Sequence, residues 1–584
     1  MADLHGTWHP ARPAASAPAA RAPSVASAGG IEVLVDGQPR SREPGTAAAT
    51  PAEVVLRAYA AHGPAAFARL AGPFAAVILD RPAGRALLAV DRVGVRPLAY
   101  ARAADGTLVF GTSALEVARA AAGAARVRLA PQALFDYLHL HMVPSPDTAY
   151  PGVRKLAPGT LATATGNGVG EERYWRPAFG PTPGDPADPR AELHRLLRVA
   201  VGNALAGARS PGAFLSGGLD SSTVVGVMAA IGADPVRTFS VGFNTEGYDE
   251  LSYARIAVQR YGARGAEYIV TPEDVATALP VIASAYDEPF GNSSAIPTYF
   301  CAKLARSAGI DRLLAGDGGD EIFAGNPHYT RQALFEHYWR LPPALRPAWL
   351  ADGLLRWIPE EAAWPLGKVR SYVQQARIPL PERLQSWNFM FREDRADIFT
   401  PDFLAQVDPR HPVTRMNETW AEVPDAHVVD RMLYFDWKFV LADSDLRKVG
   451  RMCELAGIEV RYPMLDTGLL EFSLGIPPER KIRGQELRHF YKEAMQGFLP
   501  DEILNKSKHG FGLPFGVWLK TSPGLIDLVA GSMASLATRG IFREDFLAGI
   551  QARHRDGHPG YFGYVIWDLL MLEQWLRAKD LGCH

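Results

Sequence analysis

AFLSGGLDSSTVV, residues 213–225, sets two glycines, three serines and an aspartate between an apolar run and a valine-rich one. Ala213, Phe214 and Leu215 read as the end of a buried strand, and Ser222 through Ala230 as the start of a helix. The polar residues then fill a strand-to-helix turn. Gly217 and Gly218 let the backbone bend and bare its N–H groups, while Ser216, Ser221 and Ser222 add hydroxyl donors at a helix N-terminus, where the dipole favours an anion. With Leu219 at its bend, this is a cradle for phosphates. Asp220 is the odd member, because a carboxylate beside phosphates makes sense when a hard cation such as Mg²⁺ lies between them. The spacing excludes other nucleotide loops: neither GxxxxGK followed by Ser or Thr nor GxGxxG fits. A plain Gly/Ser turn with a capping serine would explain a bare SGG, but not the whole string SGGLDSS between strand and helix.

SGGLDSS resembles the pyrophosphate-binding loop of the ATP pyrophosphatase group, and its flanks resemble the asparagine synthetase family. The resemblance implies that ATP is cleaved between its α and β phosphates to make an acyl-adenylate, which an amine attacks to leave an amide and AMP. LLAGDGGDEIFAG, residues 313–325, is a second apolar strand ending in a glycine-rich acidic turn, expected beside the first because ligands of doubly wound sheets gather at the carboxyl ends of strands. By the family motif, Gly316, Asp317 and Gly318 meet ATP, and Asp320 joins Asp220 around Mg²⁺, with Glu321 a weaker candidate. RTFSVGF, residues 237–243, resembles the strand that meets adenine, through Val241. Lys508, in ILNKSKHGFGLP, takes the place of the lysine that steadies the reacting acyl centre, where such donors supply about 3–4 kcal/mol. Lys448 and Arg451 are further candidates for phosphate contact. In YDEPFGNSSAIPTY, residues 286–299, Gly291-Asn292 stands where many asparagine synthetases have Ala-Asp, which speaks against strict asparagine synthesis.

The chain of 584 residues carries 21% charged residues and a formal net charge of −2, so nothing in the overall balance draws it to nucleic acid or an anionic membrane. Its length sets a prior of two domains. Cys301, Cys453 and Cys583 lie far apart without metal-ligand spacing, which fits a reducing compartment. Without an apolar run of about 18 residues, a cytoplasmic protein is expected. The reading divides the chain into a β-rich unit over 1–177, with 1–30 flexible, a Pro/Gly linker over 178–190, and alternating strands and helices over 191–584. The α/β fold implied is an N-terminal Ntn-hydrolase-like αββα sandwich followed by a parallel-sheet ATP pyrophosphatase (PP-loop, HUP-like) domain with a helical extension.

FAAVILD, LLAVDRVGVRPLAYA and LVFGTS resemble the glutaminase domain of asparagine synthetases, whose nucleophile is a cysteine directly after the initiator Met. Here Ala2 stands there, and no cysteine precedes Cys301. Asp36-Gly37 resembles a remnant of the family's Asn-Gly element, and Pro51 or Ala52 replaces its acidic residue. Glutamine hydrolysis is therefore expected to be absent, leaving this domain a supporting role. The favoured expectation is macrolactam formation in a lasso-type peptide, joining its N-terminal amine to an Asp or Glu side chain, with proximity lowering the barrier. Ammonia-dependent asparagine synthesis, small-ring lactam formation and a silent nucleotide-binding pseudoenzyme remain alternatives. The small-ring lactam enzymes place a tyrosine in the second glycine-rich turn, which GDGGD lacks. No general base stands out, although Glu454 and Glu459 lie in a suggestive region. Expected partners are a small precursor peptide and a leader-peptide protease, with neither nucleic acid nor membrane.

Overall fold

The computed structural model describes residues 3–9, 23–42, 50–181, 186–232, 235–248, 250–340, 342, 346, 372–506 and 512–579. In the N-terminal half, the strand Phe74–Asp80 is buried at every position, which an antiparallel strand achieves only when both faces of its sheet are covered. It lies within a six-stranded antiparallel sheet, between Arg85–Val90 and Ile31–Gly37. Because side chains alternate along a strand, Ala75, Val77 and Leu79 meet Tyr100, Leu108 and Phe110 of a second, four-stranded sheet. Phe74, Ala76 and Ile78 face the other way, onto Val55 and Tyr59 of the helix Pro51–His62. Helices Ala114–Ala122 and Pro131–Leu140 precede the last strand of the second sheet, Val153–Lys155, and Ala114, Val117 and Leu134 share a core with its Ala99, Ala101 and Val109. This is the expected αββα sandwich.

The flexible stretch expected over residues 1–30 is corrected in its described parts. His5–Trp8 pairs with Leu108–Gly111, and Ser24–Ala28 pairs with Ile31–Gly37. Ser24–Ala28 buries no side chain fully, so backbone pairing holds it and the hydrophobic pattern gives no sign of a strand. Residues 182–185 of the expected linker lie outside the described residues. Beyond them, Asp188 accepts hydrogen bonds from the N–H groups of Arg190 and Ala191 and starts the helix Pro189–Leu205.

The C-terminal half alternates strand and helix. It runs β1 (Pro211–Phe214), α1 (Leu219–Ala230), β2 (Arg237–Phe243), α2 (Leu251–Tyr261), β3 (Arg264–Val270), α3 (Pro272–Ala285), α4 (Ala295–Ser307), β4 (Arg312–Leu314) and α5 (Gly319–Phe323). After further helices come α6 (Leu446–Leu455), β5 (Glu459–Arg461), α7 (His489–Met495) and α8 (Pro559–Lys579). The five strands form one sheet in the order β3-β2-β1-β4-β5, every pair parallel. A π-helical stretch, Trp437–Asp445, leads into α6. No helix among the described residues is long and apolar enough to cross a membrane.

One core spans both halves. Leu134, Tyr137 and Leu138 of the N-terminal half join Phe239, Ile282, Trp567 and Leu570 of the C-terminal half in a single cluster of buried residues.

Candidate active site

Strand order reverses at β1, whose neighbours are β2 on one side and β4 on the other. The turns leaving β1 and β4 therefore diverge, opening a crevice at the switch point where such sheets hold ligands. Register aligns Ala213 with Leu314, so SGGLDSS and GDGGD emerge side by side. Their approach depends on glycine: a Cβ on Gly316 would lie 2.7 Å from the Ser221 nitrogen. Between the turns and β2 is a cavity of about 590 Å³ lined by Ser216, Gly218, Leu219, Asp220, Ser221, Val241, Gly316, Asp317, Gly318, Asp320, Glu321 and Lys448 among others.

The first turn of α1 has no side-chain cap, its N-cap being Gly218. Its orphan N–H groups are thus left to a ligand. Ser216 and Ser221 hold the loop through a hydroxyl contact of 3.0 Å. Two residues read as part of the cradle do not line the cavity. Gly217 has φ +70°, and a Cβ there would lie 2.5 Å from the Ala254 nitrogen, so its role is to bend the chain against α2. Ser222 is fully buried, since the helix begins three residues earlier than the sequence pattern indicates and carries it inward.

Asp220 and Asp320 come together around a residue that sequence reasoning missed. Arg488 donates to both oxygens of Asp220 at 2.6 Å each and also to Asp320. Its side chain is 3% exposed, and its backbone sits at φ +56°, a rare region for a side chain of this size. Burial opposes its charge, but Asp220 and Asp320 outweigh that and hold the guanidinium well above its ordinary pKa. Lys492 and Lys506 line the same cavity. Lys506 pairs with Glu250 at 3.0 Å, whereas Lys492 forms no ion pair among the described residues.

Asp317 also lies on the wall, and burial pushes its carboxyl up to about 6, Lys448 opposing the rise and Asp445 adding to it. Lys448 donates to Asp445 at 2.7 Å. Burial disfavours its charge, yet Asp445 and Asp317 keep its pKa above the ordinary value. Asn292 donates to the same Asp445 oxygen at 3.1 Å; an aspartate here would set two carboxylates in contact. Its neighbour Gly291 is dictated by packing, since a Cβ would lie 2.5 Å from an oxygen of buried Asp568.

Three further candidates belong elsewhere. Arg451, Glu454 and Glu459 line a different cavity of about 470 Å³ between the two halves. Arg451 and Glu454 form an ion pair there at 2.8 Å. The reason is helical phase: α6 turns Lys448 and Val449 toward the nucleotide-sized cavity, and Gly450, Arg451 and Glu454 toward the other. Neither phosphate contact by Arg451 nor proton transfer by Glu454 or Glu459 in the first cavity fits this placement. Lys508 and Ala2 lie outside the described residues.

The site fits a metal–nucleotide pair. Two carboxylates already enclose a cationic guanidinium, which stands in for a positive ion, and an uncapped helix turn faces the cavity that Lys492 also lines. Oxygen donors of this kind suit Mg²⁺.

The profile of the asparagine synthase family matches residues 192–577, and that of a glutamine amidotransferase domain matches residues 40–175. Glutamine-hydrolyzing asparagine synthetase 1 of Bacillus subtilis (strain 168) is 27% identical over 471 residues, covering 80% of this chain and 72% of that one. A putative glutamine-hydrolyzing asparagine synthetase of Mycobacterium tuberculosis (strain ATCC 25618 / H37Rv) is 28% identical over 551 residues, covering 90% and 79%. Putative glutamine-hydrolyzing asparagine synthetase 2 of Methanocaldococcus jannaschii is 31% identical over 306 residues, covering 52% and 58%.

Proposed function

This chain belongs to the asparagine synthase family as an ATP-dependent amide-forming enzyme, and on that premise we propose that it closes a macrolactam within a lasso-type peptide. The observation that carries the ligase chemistry is the meeting of two glycine-rich acidic turns beside one cavity, with Asp220 and Asp320 gathered on a single cation. The substrate carboxylate attacks the α phosphorus of ATP and pyrophosphate leaves. The peptide's N-terminal amine then adds to the acyl carbon, loses its proton, and AMP departs as the amide forms.

Within this scheme the first turn of α1 and Lys492 hold the phosphates. Asp220 and Asp320 would hold Mg²⁺, which would draw negative charge from the phosphate oxygens. Asp317 accepts the amine proton: its carboxyl, pushed up to about 6, is ionised at neutral pH yet basic enough to take a proton. Lys448 steadies charge on the acyl centre from beside it, and Lys508 is a second lysine for the same role.

The intramolecular amine is favoured by the N-terminal half. No cysteine lies before Cys301 to release ammonia from glutamine through a thioester, so this half is read as a support with no glutaminase activity. Ammonia-dependent asparagine synthesis is the second reading: the relatives are named asparagine synthetases, though glutamine-hydrolyzing ones. To decide, the protein is given ATP, Mg²⁺ and a linear precursor peptide, and mass spectrometry follows the peptide while AMP is assayed. Loss of one water per AMP formed supports the macrolactam; efficient conversion of aspartate and ammonium to asparagine refutes it. The expected partners are that precursor peptide and a protease that trims its leader.

A further inference from the structure

Arg488 presents a conflict. Its guanidinium occupies the space between the two carboxylates that are read as the metal ligands, bonded to both oxygens of Asp220 at 2.6 Å and also to Asp320. It stands immediately before α7, 268 residues beyond Asp220, and it is held by Tyr491 of that helix, whose ring lies 5.5 Å from its central carbon. Tyr491 in turn donates to Thr223 of α1 at 2.8 Å. The arginine is therefore tied into the same elements that form the phosphate cradle.

We propose that Arg488 is a displaceable counter-ion which makes metal binding conditional on nucleotide binding. It neutralises Asp220 and Asp320, two acidic groups that would otherwise repel one another. A divalent cation arriving alone would have to expel the guanidinium from its partners and leave it buried, at 3% exposure, beside a doubly positive ion. That arrangement is unfavourable because neither charge is compensated. A triphosphate changes the balance: its oxygens give the guanidinium a new bidentate partner, and the carboxylates pass to the metal. Metal and nucleotide thus enter together, each raising the affinity for the other by the same factor. Arg488 acts here as a positioning residue, exchanging partners as the site fills.

This inference rests on the nucleotide reading of the site, and the test separates the two. Mg²⁺ is titrated calorimetrically into the full-length protein, alone and with α,β-methylene ATP present, for wild type and for Arg488→Gln. Wild type is expected to bind Mg²⁺ weakly alone and tightly with the analogue. R488Q is expected to bind Mg²⁺ alone at least about tenfold more tightly than wild type and to lose most of the coupling. Equal Mg²⁺ affinity in the two proteins, with coupling intact, overturns the proposal while the nucleotide site stands. Failure of the analogue to bind wild type even with Mg²⁺ overturns the nucleotide reading and this proposal with it. Should R488Q not fold, Arg488→Lys serves, because a point charge satisfies one carboxylate at a time. R488K is then expected to bind Mg²⁺ alone more tightly than wild type, and wild-type behaviour in R488K overturns the proposal.

Discussion

Asp317 meets opposite demands in folding and in chemistry. A carboxyl pushed up to about 6 binds its proton more tightly folded than unfolded, so the stability it contributes is present in acid and lost as pH rises through about 6. Asp317→Asn, which cannot ionise, is therefore expected to melt higher than wild type near pH 8 and to show no such advantage near pH 4. The same change is expected to lower kcat/KM by about 10²-fold or more, the usual worth of a positioned proton acceptor. In wild type, kcat/KM is expected to rise tenfold per pH unit below about 6 and then level; a flat profile across that range excludes Asp317 as the acceptor. Lys492 makes a different prediction. A charge-assisted contact to phosphate is worth about 1.5–3 kcal/mol, so Lys492→Gln should raise KM for ATP about tenfold or more while kcat at saturation holds. A loss of kcat at unchanged KM would instead place Lys492 at the acyl centre. These residues also mark what the sequence could not reveal. SGGLDSS is a local pattern readable from its own residues, and GDGGD one read through its resemblance to a family motif, whereas Arg488 and Lys492 reach the cavity only through tertiary folding. The one local hint was RHFYK, whose four-residue spacing sets two cations one helical turn apart.

At the scale of elements, the turn that carries Gly291 and Asn292 is shaped by α8 behind it. Gly291 donates its N–H to the His141 carbonyl at 2.8 Å, and its carbonyl accepts from Trp567 at 2.8 Å. Replacing it with alanine would drive a methyl onto Asp568, and overpacking of that kind costs about 1–3 kcal/mol. Gly291→Ala is expected to lower the melting temperature by several degrees, with part of the loss recovered when Asp568→Ala is added; strictly additive effects in that pair would remove the steric explanation. So a substitution that looks like a change of substrate preference in the sequence is, at position 291, a matter of packing. Asn292 differs, because it touches Asp445 and through it Lys448. The strand-and-helix alternation after residue 211 was legible because β1 and β4 are short apolar runs that end in glycine-rich turns. Ser24–Ala28 was not, since an edge strand of small residues pairs through its backbone and leaves no hydrophobic period. Helical phase was the other hidden variable: LRKVGRM gives no sign that Lys448 and Arg451, three residues apart, serve different cavities.

Over the whole molecule, the boundary between the halves is crossed by polar as well as apolar contacts. Tyr137 donates to the Asp568 carbonyl at 2.9 Å, and Lys155 pairs with Glu288 at 2.6 Å. Arg415 grips Asp147 at 2.6 Å, and His411 meets Asp136 at 2.8 Å. The shared apolar core has the larger consequence: removing residues 1–177 would strip Leu134, Tyr137 and Leu138 from buried Trp567 and Leu570. Each large side chain so uncovered forfeits about 1.5–3 kcal/mol, and a few such losses equal the whole stability of an ordinary domain. Residues 191–584 alone are therefore expected to be insoluble or molten, and the full chain to unfold in one calorimetric transition. Two separate transitions, with the second half melting alone at its original temperature, would refute the supporting role of the first. The junction should also respond to pH. The hydrogen bond to Asp136 raises the pKa of His411 against the opposing effect of burial, so its contribution is complete below the unfolded value near 6.5 and fades as pH climbs through the folded one. His411→Gln is expected to flatten the fall in melting temperature across that range.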